Sequence, residues 1–258
     1  MKQKEKNYFS KKKIWITGAS SGIGEAICNY LDQHCECHLI LSGRNKEKLT
    51  QLSSKLKNKT TLSIFDVSQK EECLKAVEKA TKDGPIDIVI LNAGNCFYVE
   101  PHSFNSSDHE DMIKINYLSI TYLIEGLLPQ FLSRNKGHIV TVSSLAGLLG
   151  FPRSTAYGAS KAASLIFTQC LQQDLQSSNI SITSVLPGFV KTPLTDKNDF
   201  KMPFLMDADK AAEIVYKKLL YSTAFEISFP FRFALIMRLI TMLPWPLYKK
   251  VMLKKVRK

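Results

Sequence analysis

Lys13-Ile14-Trp15-Ile16-Thr17-Gly18-Ala19-Ser20-Ser21-Gly22-Ile23-Gly24 changes character twice within a few residues. A short apolar run, Lys13–Thr17, stops at Gly18, and helical character begins at Ser21 and continues to about His34. A strand that runs into a glycine-rich turn and then into a helix is the opening of a βα unit. The glycines let the backbone turn tightly and approach a ligand closely, and the N-terminus of the following helix favours negative charge. Such a turn suits a phosphate.

The same alternation continues outward along the chain. Strands are expected at His38–Ser42, Leu62–Phe65, Asp87–Leu91, His138–Ser143, Ile180–Leu186 and Glu226–Phe229. Helices are expected at Lys46–Leu56, Lys70–Ala80, Ser107 to about Leu132, Tyr157–Ser177 and Asp207–Ser222. Ser107 and Glu110 have the S-x-x-E spacing of a capping box. Continuous apolar strands separated by helices of ten or more residues argue for burial on both faces of a parallel sheet. The expected fold is therefore α/β, a doubly wound parallel seven-stranded sheet of the Rossmann type in a single domain, residues 14–230. A basic N-terminal tail, 1–13, precedes it, and an amphipathic, basic C-terminal extension, 231–258, follows.

The net charge of +12 sits at the ends. Residues 1–13 carry six Lys and one acid, and 227–258 carry eight basic residues and no acid, which leaves 14–226 at −1. A basic body gripping nucleic acid would not look like this, so no nucleic-acid partner is expected; basic ends touching an anionic surface fit better. Cys28, Cys35, Cys37, Cys73, Cys96 and Cys170 form no C-x-x-C pair, and the histidines lie far apart. Free thiols in a reducing, cytoplasmic setting are expected, and no metal site. Neither a signal peptide nor a spanning helix is expected.

In a doubly wound sheet ligands bind outside the carboxyl ends of the strands. After the first strand come Gly18, Ser20, Ser21, Gly22, Ile23 and Gly24. After the second comes Arg44, where an acid would bind a free ribose 2′-hydroxyl and a cation suits a 2′-phosphate. Asp66 and Val67 follow the third strand and are placed to flank an adenine; Asn92-Ala93-Gly94 follow the fourth. Ser144 ends the fifth. Tyr157 and Lys161 share one helix face a turn apart. A phenol is a poor base at neutral pH, and a neighbouring ammonium favours its ionised form. That pair is suited to exchanging a proton with a carbonyl or alcohol oxygen held by Ser144.

TGASSGIG (17–24), NAG (92–94), Asn116, Ser144, YGASK (157–161) and PGFVKT (187–192) resemble, in order and spacing, the motifs of the short-chain dehydrogenase/reductase superfamily over about 14–229. The resemblance implies Tyr157 as general acid or base, Lys161 on the nicotinamide ribose, Ser144 on the substrate oxygen and Asn116 anchoring a water in the proton path. It implies Pro187, Gly188 and Val190 along the nicotinamide and Thr192 on the cofactor's phosphate or carboxamide side. Arg44 then favours NADP(H) over NAD(H). Leu91 stands where the family often has a second Asn, a position read as structural.

In the family, substrate choice lies in 95–106, 145–156 and 193–206, which here are rich in apolar residues, from Phe97 and Tyr98 to Leu148, Phe200 and Phe204. A lipophilic carbonyl or alcohol is the expected small-molecule partner. A 3-oxoacyl thioester of lipid synthesis, or a catalytically silent NADP-sensing module, is the alternative. Laid on a helix, Phe233, Ile236, Met237, Leu239, Ile240 and Leu243 form one apolar face, opposite Arg238 and Thr241. With Trp245 and the clustered lysines it fits an in-plane contact with the cytoplasmic face of a membrane. Packing of the same face on the enzyme or its mate is the other reading. A homodimer is expected, as the family commonly pairs through the helices beginning near Ser107 and Tyr157.

Overall fold

The computed structural model describes residues 8–222 and 224–256. Seven parallel strands form one sheet: β1 (Lys13–Thr17), β2 (His38–Gly43), β3 (Lys59–Ile64), β4 (Ile88–Leu91), β5 (Gly137–Val142), β6 (Ile180–Pro187) and β7 (Glu226–Phe229). Their order is β3-β2-β1-β4-β5-β6-β7, so the strand order reverses between β1 and β4.

Side chains alternate across each strand, and the two faces feed two separate cores. Ile14, Ile16, Leu39, Leu41, Ile88 and Ile90 face one layer, where α1 (Gly22–His34), α2 (Lys46–Lys55) and α7 (Ala208–Tyr221) add Ile27, Leu31, Leu49, Val215 and Leu219. Trp15, Ile40, Val89 and Ile139 face the other, covered by Cys73, Val77, Leu123 and Leu127 from α3 (Lys70–Thr81) and α5 (Ser119–Arg134). Burial on both sides explains why these strands read as unbroken apolar runs.

Several local expectations change. β3 begins at Lys59, earlier than its apolar end suggests, because as an edge strand it leaves Lys59, Thr61 and Ile64 exposed. The long helix after β4 is two segments, α4 (Ser106–Ile113) and α5, joined through a π-helical turn at Lys114–Leu118. Its cap is Asn105, not Ser107: the Asn105 side chain accepts a hydrogen bond from the Ser107 N–H at 3.1 Å. β5 stops at Val142, and Ser144 instead caps a short 3-10 turn, accepting from the Ala146 N–H at 3.1 Å.

The basic N-terminal segment joins the body before residue 14. Phe9 is fully buried and stacks on Tyr216, and Tyr8 contacts His138 through its hydroxyl. Residues 1–7, with half of that segment's lysines, lie outside the described residues.

At the other end, α8 (Phe231–Thr241) lies against the body through Phe233, Ala234, Met237 and Ile240. They pack with Leu145, Leu165 and Leu186, and with Leu148, Leu149 and Phe151. Of the face expected from the helical wheel, Leu239 is the exception: it is exposed. α9 (Trp245–Val256) follows, tied back by the Tyr248 hydroxyl to the Gly150 carbonyl. No helix among the described residues is long and apolar enough to cross a membrane.

Candidate active site

The loop after β1 is held against the loop after β4, where the strand order reverses. Thr17 Oγ1 accepts from the backbone N–H groups of Asn92 and Ala93 at 3.0 and 3.1 Å, and Asn92 Nδ2 donates to the Thr17 carbonyl at 3.0 Å. This approach leaves no room for side chains. A Cβ on Gly18, which has φ +66°, would stand 2.9 Å from Ala93 Cα, and one on Gly24 would stand 2.3 Å from the Gly18 carbonyl oxygen. No side chain caps the N-terminus of α1, since Ser21 is extended and its hydroxyl makes no cap bond. The first turn therefore offers its positive end to an anion.

A cleft of about 440 Å³ runs along the carboxyl ends of the strands. Gly18, Ser20, Ser21, Gly22, Ile23, Arg44, Asp66, Val67, Asn92, Ala93, Gly94, Pro187, Gly188, Val190 and Thr192 line it together with Ser144, Tyr157 and Lys161. Two expected residues stand outside the lining. Gly24 packs beneath the loop, and Asn116 lies behind it. Pro193 and Leu194, of the substrate segment expected at 193–206, line the cleft too, and so do Phe65, Asn95, Ile115, Thr195 and Lys197, which no motif singled out. Asn95 had a signal, its place directly after Asn92-Ala93-Gly94; Lys197 had none, being one Lys in a polar loop.

Arg44 stands at the β2 end, 70% exposed, with Nη1 at 3.7 Å from Asp66 Oδ2. Ser20 lies beside the preceding residue, Gly43, where a Cβ would stand 3.3 Å from Ser20 Oγ. Tyr157 and Lys161 belong to α6 (Thr155–Asp174), which flanks the β5 end and is capped by Ser154 through the Gly158 N–H at 3.2 Å. β2 and β5 are three strand positions apart, about 14 Å at ~4.8 Å per strand.

The two serines after β5 part company. Both border the cleft, but the Ser143 hydroxyl turns into the protein, donating to the Lys161 carbonyl at 2.7 Å. The Ser144 hydroxyl faces the Tyr157 end of the cleft, accepting from the Ala146 N–H at 3.1 Å. Lys161 is buried, its Nζ donating to the Val142 carbonyl at 3.0 Å and standing 5.9 Å from the centre of the Tyr157 ring. Burial governs both groups. It pushes the Tyr157 phenol well above its ordinary range, the nearby Ser144 hydroxyl opposing, and pushes Lys161 down to about 8. The expected lowering of the phenol by Lys161 is not what results: desolvation sets the direction.

Asn116 sits in the π-helical turn, fully buried. The wider turn sends its side chain to the loop after β4, where Oδ1 accepts from the Asn95 N–H at 2.9 Å. Its Nδ2 donates to the Asn95 carbonyl and to Ser160 Oγ, each at 2.9 Å. A Cβ on Gly94 would stand 3.0 Å from Asn116 Oδ1 and 3.3 Å from Lys161 Nζ, so only glycine leaves these two groups in place.

The three loops over the Tyr157 end are tied by a charged residue among the apolar ones. Arg153, at φ +63°, reaches Glu100 at 2.5 Å and Asp199 at 3.0 Å, and its guanidinium lies 5.4 Å from the Tyr98 ring. The Tyr98 hydroxyl donates to Asn198 at 3.0 Å, and its ring meets Phe200 edge-on. Phe97 and Val99 pack beside Tyr157. The other half of the apolar set, Leu145 to Phe151, holds α8 instead.

A parallel sheet with a phosphate-suited loop at its reversal point, and a Ser, a Tyr and a Lys gathered at the far end of one cleft, defines an oxidoreductase architecture. The chain belongs to the short chain dehydrogenase family, whose model matches residues 12–202. An uncharacterized oxidoreductase of Staphylococcus epidermidis is 34% identical over 203 residues, 78% of this chain and 87% of the relative. A 3-oxoacyl-[acyl-carrier-protein] reductase of Rickettsia felis is 35% identical over 182 residues, 70% of this chain and 74% of the relative. Among solved structures, a short chain dehydrogenase/reductase of Burkholderia phymatum in complex with NAD superposes with a TM-score of 0.82 at 20% identity, covering 97% of both chains. A serine dehydrogenase complexed with NADP+ gives a TM-score of 0.75 at 27% identity, covering 84% of this chain and 93% of that one.

Proposed function

We propose that this protein interconverts a carbonyl and an alcohol on a lipophilic substrate, using NADP(H) rather than NAD(H). The observation that carries the reading is the meeting of Ser144, Tyr157 and Lys161 at one end of a cleft whose other end presents Arg44. A dinucleotide fits what lies between. Gly18 lets the loop after β4 close against the glycine loop, the uncapped end of α1 suits the pyrophosphate, and Arg44 with Ser20 suits a ribose 2′-phosphate.

When bound, the nicotinamide supplies or takes up the hydride. The protein's own residues manage the oxygen and the proton. In reduction, Tyr157 donates its phenolic proton to the carbonyl oxygen as that oxygen gains negative charge, and Ser144 holds the same oxygen by a hydrogen bond. Burial keeps Tyr157 protonated and ready to donate. The Lys161 ammonium stabilises the phenolate left behind and holds the ribose. Asn116 fixes the Asn95 backbone beside Lys161 and anchors the water that returns the proton. Pro187, Gly188, Val190 and Thr192 hold the nicotinamide end, and Asp66 and Val67 the adenine. In oxidation the same groups act in reverse.

The aromatic and aliphatic residues of the loops packed beside Tyr157 support a lipophilic substrate. The Rickettsia reductase supports a second reading within the same chemistry, a 3-oxoacyl thioester. A homodimer through α4–α5 and α6 is supported by the exposed Leu132 and Ile166. The protein works in the cytoplasm, at the cytoplasmic face of a membrane that its C-terminal helices contact. The test is NADPH oxidation with a panel of water-soluble ketones, lipid carbonyls and 3-oxoacyl thioesters. Turnover of lipid ketones above that of thioesters is expected, and no turnover with any carbonyl overturns the reading.

A further inference from the structure

α8 is apolar on two opposite faces. One is used by the body: Phe233, Ala234, Met237 and Ile240 are buried. The other is a row of its own. Phe231, Leu235, Leu239 and Met242 recur at i, i+4, i+8 and i+11, which stacks them along one line of the helix. They are 76%, 46%, 55% and 79% exposed, and Trp245, at the start of α9, is 71% exposed. A helix that packs on its own protein through one face needs a polar face outward; one that is apolar all round belongs where both faces are covered. Packing on the body and contact with a membrane were competing readings of one face. The structure gives the first role to Phe233, Met237 and Ile240 and leaves the outward row for the second.

The charge around the row selects its occupant. Residues 227–258 carry eight basic residues and no acid. Arg232, Lys249 and Lys250 are exposed, and Arg238 is paired with Glu226. A second copy placed on this face would bring the same positive charge against it, whereas an anionic lipid surface brings the opposite sign. Apolar side chains, an exposed Trp and flanking cations are what a helix lying in the headgroup plane requires.

The helix that carries the row is also joined, by its docked side, to the substrate loops. Ring contacts at 5.5–5.9 Å run from Tyr98 to Phe200, Phe189, Phe233 and Phe204, from the loops over Tyr157 to the docked side of α8. We propose that the outward row of α8, with Trp245, seats the protein in plane on an anionic bilayer, with the substrate loops beside the lipid so that a lipophilic carbonyl enters from the membrane. This deepens the functional reading above and rests on it for the substrate.

The test is flotation of the full chain with vesicles of phosphatidylcholine alone or of phosphatidylcholine and phosphatidylglycerol in equal parts. Flotation with the anionic vesicles only, lost in high salt, is expected. Removing one exposed cation should weaken partition about fivefold. The double variant Leu235→Glu, Leu239→Glu alters the outward row and leaves the docked face intact. It is expected to stay unfloated, while turning over a water-soluble ketone and melting as the parent does. Equal flotation of parent and variant, or no flotation of the parent, overturns the proposal. So does concentration-dependent self-association that the variant abolishes without any vesicle binding, which would assign the row to a second copy. Ketone turnover is read in the same samples: a protein that floats but reduces no carbonyl overturns the reductase reading and spares the membrane seat.

Discussion

Replacing Arg44 by Ala should weaken NADPH binding and leave NADH binding nearly unchanged. Arg44 lines the β2 end of the cleft, as Ser20 does, and its guanidinium is 3.7 Å from Asp66. A hydrogen bond to a charged group contributes about 1.5–3 kcal/mol when sheltered, and an exposed ion pair only about 0.2–1 kcal/mol. At 70% exposure Arg44 belongs between these ranges. A loss of roughly 1–1.5 kcal/mol is expected, about 5- to 12-fold in Kd. Removing Arg44 also leaves the Asp66 carboxylate without its cation near the phosphate, which adds to the loss in the same direction. NADH lacks the phosphate and should change by less than about twofold. Fluorescence titration with both cofactors at low and high salt reads this directly. The parent's preference for NADPH should shrink as salt rises, because the contact is screened. Equal weakening of both cofactors by the substitution, or equal affinity of the parent for both, would refute the reasoning about Arg44.

Two further outcomes follow from the Tyr157 end of the cleft. Reduction needs Tyr157 protonated, which its raised pKa secures, and Lys161 charged, which is lost as pH rises through about 8. The rate of reduction at saturating cofactor should therefore be level at neutral pH and fall above about pH 8, an apparent value belonging to the coupled pair; a profile level to about pH 10 would contradict it. Arg153→Ala frees Glu100 and Asp199 and loosens the three loops, so KM for a bulky carbonyl should rise about fivefold while kcat stays within about twofold. Arg153→Lys should recover part of the loss, and an unchanged KM in both variants would remove Arg153 from the closure.

The order of strands and helices was legible because burial on both faces writes unbroken apolar runs, as in Ile14–Ile16 and Ile88–Leu91. β3 was half hidden because an edge strand keeps polar residues, and Lys59 to Thr61 carry no apolar signal. The glycine loop, Tyr157 and Lys161 were legible as residue types at fixed spacings. Asn116 is different. Its place depends on a π-helical turn, a backbone feature that no periodicity announces, and only the family resemblance drew attention to it. Ser144 was chosen over Ser143 by its separation from Tyr157, which matches the family pattern, and the inward Ser143–Lys161 contact gives the physical reason. Arg153 escaped notice because its partners, Glu100 and Asp199, are distant in sequence. Leu239 was assigned to the wrong side of α8 because a helix with two apolar faces has no single amphipathic direction for the wheel to find.

The measurement that bears most directly on the account is a paired titration and turnover assay on Tyr157→Phe. The phenol is partly buried near Ser144, at the end of the cleft away from Arg44 and the glycine loop. Removal of its hydroxyl should leave NADPH affinity within about twofold and lower carbonyl reduction by at least about a hundredfold, the scale of a positioned general acid. Near-normal reduction by that variant would contradict the assignment of Tyr157.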